Sequence, residues 1–380
     1  MDTFHADVAV IGAGIIGAAC AAHLAGRGLR VVVVEASQAP ATGSTARSNA
    51  CVRAQWRDET NIALSWYSIL QYRDFATLYG TDVGYRPIGY LLLHTPEQWD
   101  AQLAAVELQR GQGVPVEVLA PAEAQRLAPF EAAGVAGATW TPADGRIDPH
   151  LATHAFLTHA KNGGTRTLLS SPVHAIDRTG DGWQVESARG RVRAGAVVNA
   201  AGGWAGEVAA LAGLTVPVTH SRRMLFCTAG GQRTDLPMTI DTSSGFFIRS
   251  EGDRLIMGFG GEHEPDGYND ALDWTWLESV MEAGHERFPW ILELPMDQRS
   301  SWAGTYDLSP DHRPLVGRMR EAPSWVNACG FSGHGVMQAP AIGRAVAEEI
   351  VDGAAHSIDV DPLRIERLSR PPAAHKDLVF

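Results

Sequence analysis

Three glycines and one acid, Gly12-x-Gly14-x-x-Gly17 and Glu35, are the residues whose types and spacing most directly imply chemistry. A glycine at 12 permits a tight turn. One at 14 lets the backbone approach a pyrophosphate, and one at 17 lets a helix pack close to the preceding strand. N–H groups at the start of such a helix point at phosphates. Ile11, Ile15 and Ile16 flank the glycines, and Ala36 follows the acid. Glu35 stands where a carboxylate accepts hydrogen bonds from a ribose diol. Together these residues predict a dinucleotide site, and a carboxylate there disfavours the 2′-phosphate of NADP. The segment GSTARSNACVR adds Ser44, Thr45, Arg47, Ser48, Asn49, Ala50 and Arg53, hydroxyls and guanidiniums able to cap a helix, bind a phosphate, or both. Far downstream, Gly330-Phe331-Ser332-Gly333-His334-Gly335-Val336-Met337 is a glycine turn before the helical run AIGRAVAEEIV. Backbone N–H groups in such a turn stabilise negative charge. His334 either meets the ligand or fixes the loop.

The elements that must position these residues follow from periodicity. Val8, Val10 and Ile11 form a β-branched run, a helix is expected over about 15–26, and VVVV leads to Glu35. The 36–56 segment is expected to end in a helix. Residues 60–80 and 96–112 read as helices, 85–94 as a strand pair turning near Gly89, and GATWTPADGRIDP as turns throughout. A helix starts at Pro149. Its His150, His154 and His159 are spaced by four and five, which does not make a metal set, and no metal is expected. A hairpin follows. AVVNAAG then reads as the last buried strand of a nucleotide domain, running into the turn Ala200-Ala201-Gly202, with Trp204 opening a helix. From Val216 the pattern is mainly β, then a helix over 273–288 and a final strand, glycine turn and helix. The tail, with RPPAAHK, reads as an extended arm.

Composition narrows the function classes. A net charge of −12 over 380 residues argues against nucleic acid as a partner. Cys20, Cys51, Cys227 and Cys329 form no CxxC pair, which fits reduced thiols and a cytoplasmic protein. No stretch approaches the length of a membrane span. The N-terminus runs into a strand without a signal-peptide pattern.

GAGIIG with Glu35, GSTARSNACVR, VVNAAGGWA and YDLSPDHRPLVG with GFSGHGVMQAP, in that order, resemble the FAD-dependent D-amino acid oxidase superfamily. The nearest branch is that of sarcosine oxidase, glycine oxidase and proline or dimethylglycine dehydrogenase. The resemblance implies an α/β (α+β) protein. A discontinuous Rossmann-like FAD-binding domain would comprise residues 1–82, 148–218 and 300–365. A substrate domain with a large mixed β-sheet would comprise 83–147 and 219–299, and 366–380 would be a tail. It also implies that Gly12, Gly14 and Gly17 hold the pyrophosphate and Glu35 the ribose. Ser44, Thr45, Arg47 and Ser48 would run from phosphates to flavin, Val173 would meet adenine through its backbone, and Ala200, Ala201, Gly202 and Trp204 would lie near the ribityl chain. Residues 330–337 would face the flavin N1–C2=O edge as an oxyanion hole does.

Departures from the family pattern carry information. Gly304 stands where some sarcosine oxidases attach flavin through cysteine, so non-covalent FAD is expected. Tyr306 aligns near the glycine oxidase carboxylate arginine. Of the monomeric sarcosine oxidase pair, Arg53 survives and Met337 replaces a lysine. Arg53 is either the substrate-carboxylate ligand or a surface or flavin-side residue, with Arg222, Arg223 and Arg249 in reserve. The lysine that family oxidases place at flavin N5 aligns with Ile256, and Lys161 and Lys376 are the two lysines of the chain. This gives weight to a dehydrogenase, with oxygen or another carrier as acceptor. The implied reaction is hydride transfer from the carbon beside nitrogen to flavin N5, giving an imine that hydrolyses. The substrate would be an amino acid or amine, preferably secondary or N-methylated. Tyr306, Phe246, Phe247 and Trp302 would supply an aromatic wall and a hydroxyl. Rival readings are a D-amino acid dehydrogenase or oxidase, the FAD subunit of a hetero-oligomer, a homo-oligomer of the same activity, an NAD enzyme, and a non-catalytic flavin-binding subunit.

Overall fold

Strand β1, Thr3–Ile11, is buried on both faces at its C-terminal end. It turns through Gly12 into helix α1, Ile15–Gly26, and back into β2, Val31–Val34. The helix is alanine-rich and buried almost all round, because other helices pack on it. The computed structural model describes residues 2–260 and 267–369. Lys376 and the RPPAAHK segment lie outside the described residues.

β1 is central to an eight-stranded sheet. It pairs in parallel with β2 on one side and with Gly190–Asn199 on the other. Val197–Asn199 then pair in parallel with Trp325–Asn327. VVNAAG is therefore not the last strand of this sheet: Leu315–Met319 and Ala322–Cys329 follow it. One face is covered by α1 and the helices Glu59–Arg73, Pro149–Asn162 and Gly335–Val351. The other carries Trp183, Val185, Ala205, Ala209 and Trp325.

A second eight-stranded sheet contains strands from 90–141 and 219–308. It is mixed: Met238–Asp241 runs parallel to Tyr90–His94, and its other pairings are antiparallel. Alternation splits its side chains. Leu91, Leu93, Phe226, Phe246 and Ile248 face an outer core with Val280 and Phe288. Tyr90, Leu92, Leu225, Phe247 and Ile256 face inward.

Several expectations are corrected. Met296–Leu308 pairs along its length with Thr219–Thr228, so the second sheet runs through the boundary drawn at residue 300. The 36–56 segment ends not in a helix but in the short strand Cys51–Val52, paired with Gly145–Arg146. Residues 85–94 hold one strand, Tyr90–His94, preceded by a single bridge at Arg86. The stretch read as turns contains the strand Gly137–Thr141.

Candidate active site

The glycine turn is built as its spacing requires. Gly12 has φ +104, and a Cβ there would lie 2.4 Å from the Ala200 carbonyl oxygen. A Cβ at Gly17 would lie 2.1 Å from the Gly12 oxygen, so Gly17 packs helix against turn and does not line the cavity. Thr45 Oγ1 accepts from the Ile15 N–H at 3.1 Å, so the 44–48 segment caps α1 from thirty residues away. The Glu35 carboxylate accepts from the Ala13 N–H at 2.7 Å and the Ser37 N–H at 2.8 Å. Those bonds fix the acid just after β2, on the cavity wall.

That cavity, about 810 Å³, runs between the two sheets. That volume is toward the upper end of the roughly 300–1,000 Å³ typical of ligand and cofactor sites. Its wall includes Ile11, Gly12, Gly14, Ile15, Ile16, Glu35 and Ala36; Ser44, Thr45, Arg47, Ser48, Asn49, Ala50 and Arg53; Val173, Ala200, Ala201, Gly202 and Trp204; and Gly304, Tyr306, Phe331, Gly333, His334, Gly335, Val336 and Met337. Of the residues expected to hold the cofactor, Gly17, Gly330 and Ser332 are absent from that wall. Gly330 (φ +71) and Ser332 (φ +51) shape the turn from behind.

Asp307 explains the turn. Its Oδ2 accepts from the Phe331 N–H at 3.0 Å, and its carbonyl accepts from the Ser332 N–H at 3.0 Å. These two loop donors therefore serve the scaffold, not a ligand. Gly333, Gly335 and Val336 lie on the wall at the helix N-terminus, where N–H groups lack intrahelical acceptors. Burial pushes the Asp307 carboxyl up to about 6. His334 packs edge-on to Trp56, with ring centroids 4.5 Å apart, and burial holds its imidazole well below the usual range and therefore neutral. A Cβ at Gly333 would lie 2.3 Å from the Tyr306 ring, so glycine is what lets that ring approach.

Arg53 is 2% exposed. Its Nη1 donates to the Gln55 carbonyl at 2.7 Å, and its guanidinium lies 4.1 Å from the Trp56 ring centroid. Beside it, Asp144 accepts from the Ala54 N–H at 2.9 Å, and burial pushes that carboxyl up to about 7. Arg249 is committed elsewhere: it donates to Asn49 Oδ1 and the Asn49 carbonyl and pairs with Glu251. Arg222 donates to the Ala271 carbonyl at 2.9 Å and is absent from the wall, whereas Arg223 lines it. Phe247 lines the cavity, but Phe246 belongs to the outer core, as strand neighbours must. Trp302 is absent from the wall and donates to the Arg47 carbonyl at 2.9 Å. Ile256 is buried behind the wall, in the inner apolar cluster. Sequence reasoning gave no role to Asp307, Asp144, Cys51 or Tyr90. The loop partners of Asp307 are visible only in three dimensions. Burial pushes the Cys51 thiol up, so it is a neutral wall group beside Tyr90.

The chain matches the FAD dependent oxidoreductase family, DAO, over residues 7–349. It belongs to that family. It is 29% identical to FAD-dependent oxidoreductase domain-containing protein 1 of Bos taurus, across 96% of this chain and 86% of that one. Mitochondrial dimethylglycine dehydrogenase of Rattus norvegicus is 28% identical, across 95% of this chain but 45% of its own length. The crystal structure of L-proline dehydrogenase from P. horikoshii superimposes with a TM-score of 0.89 at 30% identity, covering 97% of this chain and 99% of that one. This DAO-family chain is thus an FAD-dependent oxidoreductase. The Gly12 turn, the Glu35 carboxylate and the volume of the cavity fit the dinucleotide. Gly333–Met337, Gly304 and Tyr306 would border its flavin end.

Proposed function

We propose that the chain oxidises the C–N bond of an amino acid whose amine is secondary or N-methylated. The observation that carries this is a buried guanidinium, Arg53, sharing one cavity wall with Tyr306 and the glycine turn. FAD supplies the hydride acceptor. Arg53 holds the substrate carboxylate, the Tyr306 hydroxyl faces the amine, and Tyr90, Leu225, Met238, Ile240 and Phe247 exclude water around the reacting carbon. A deprotonated amine and a well-placed carbon are sufficient for hydride loss, so no acid–base triad is required. The resulting imine hydrolyses in water. The names of dimethylglycine dehydrogenase and L-proline dehydrogenase support this substrate class.

Arg53→Ala tests the carboxylate role. The substrate concentration for half-maximal flavin reduction should rise about 100-fold, the scale of a lost charge-assisted pair. An unchanged value would remove Arg53 from substrate binding. A carrier other than oxygen is favoured as electron acceptor, because the family's N5 lysine position holds Ile256, buried behind the wall. Dye reduction should then outpace oxygen uptake, and the reverse ratio would assign an oxidase.

A further inference from the structure

We infer that Arg223 is a second anion-binding group of the substrate site. The preferred substrate then carries a second carboxylate, as an amino dicarboxylate or an N-carboxyalkyl amino acid does. This rests on the amino acid oxidation proposed above and specifies its substrate.

Arg223 lies in the strand Thr219–Thr228 opposite Gly304, two residues from Tyr306 in the paired strand. Its guanidinium carbon is 5.0 Å from the Tyr306 ring centroid. Its Nη1 donates to Ser221 Oγ and to the Arg222 carbonyl, both at 2.8 Å. Its Nε is buried without a hydrogen-bond partner.

The other arginines of the cavity wall are already assigned. Arg47 pairs with Asp270 at 2.6 Å. Arg53, beside the buried Asp144, is assigned to the substrate α-carboxylate. Glu35 serves the Ala13 and Ser37 N–H groups, and Asp307 serves the Phe331 N–H. Arg223 has no carboxylate partner among the described residues. A guanidinium that borders the cavity without a carboxylate of its own is suited to an anion from the ligand. One α-carboxylate is already accounted for by one bidentate arginine. Tyr90, Met238, Ile240 and Phe247 on the same cavity wall supply no competing charge, and a wall of low polarity strengthens the attraction.

The test is anaerobic titration of the FAD-loaded protein with sarcosine, proline, iminodiacetate and N-methylaspartate, for the wild type and Arg223→Met. Glutarate and butyrate serve as unreactive ligands, read by the flavin spectrum. The wild type should reach half-reduction at about 10-fold lower concentration with the dicarboxylates. Arg223→Met should raise that concentration about 30-fold for dicarboxylates and less than about threefold for sarcosine and proline, with FAD content unchanged. Equal losses for both substrate classes would make Arg223 part of one shared clamp and overturn the proposal. No loss for either class would place it outside the site, and loss of FAD would assign it to the cofactor. If no amino acid reduces the flavin, the oxidation itself is refuted. Tighter binding of glutarate than butyrate, abolished by Arg223→Met, would still support the second anion site.

Discussion

At the scale of single residues, the site depends on buried groups that make no contact with the reacting atoms. Asp144 is the clearest. It has no exposed surface, accepts from the Ala54 N–H and lies beside Arg53. Burial raises its carboxyl from the ordinary 3.8 to about 7. Between those values the folded protein binds the proton more tightly than the unfolded chain. Stability from this group is therefore greatest at low pH and falls as pH rises from about 4 to about 7. Asp144→Asn keeps an acceptor for Ala54 and removes the titration. Relative to wild type, the variant should gain on the order of 1–3 kcal/mol between pH 5 and pH 8 in denaturant unfolding. A difference that does not change with pH would show that Asp144 is already ionised at no cost. The sequence offered no cue to this residue, because its partner Ala54 is ninety positions away.

At the scale of elements, legibility followed the range of the interactions involved. Helix α1 spans Ile15–Gly26, as its alanine run and flanking glycines imply. The Gly12 turn is local and was equally readable. Cys51–Val52 is a two-residue strand that exists only by pairing with Gly145–Arg146, so local hydroxyls and alanines misread it as helix. Gly137–Thr141 looks like a turn by composition, but Gly137 sits where a Cβ would lie 2.3 Å from the Trp99 ring. The glycine serves packing inside a strand. Gly12→Ala tests the local element directly. With φ +104 and a carbonyl 2.4 Å from the added Cβ, the turn must open. The variant should lose on the order of 2–4 kcal/mol of stability and purify without bound flavin. Retention of full FAD content would show that the cofactor is seated by other elements.

At the scale of the whole molecule, chemistry arises where the inner face of one sheet meets the carboxyl ends of the strands of another. The glycine turn at residue 12 and the loop at 330–337 lie over three hundred positions apart, yet they border one cavity. Interleaving explains this: strands from 3–34, 166–199 and 315–329 build the first sheet, and segments of the second are inserted between them. The class of fold was readable from four separated motifs. Which face each side chain takes was not, because it is set by pairings such as Arg223 with Gly304 across two long strands. The central claim is that this cavity passes a hydride from a secondary amino acid to bound flavin. The most direct measurement is the visible spectrum of the purified, FAD-loaded protein under anaerobic titration with N-methyl and cyclic amino acids. The account predicts that the flavin band bleaches with at least one of them and that one mole of imine-derived product forms per mole of flavin. A yellow protein whose spectrum is unmoved by every such amino acid and by D-alanine would contradict it.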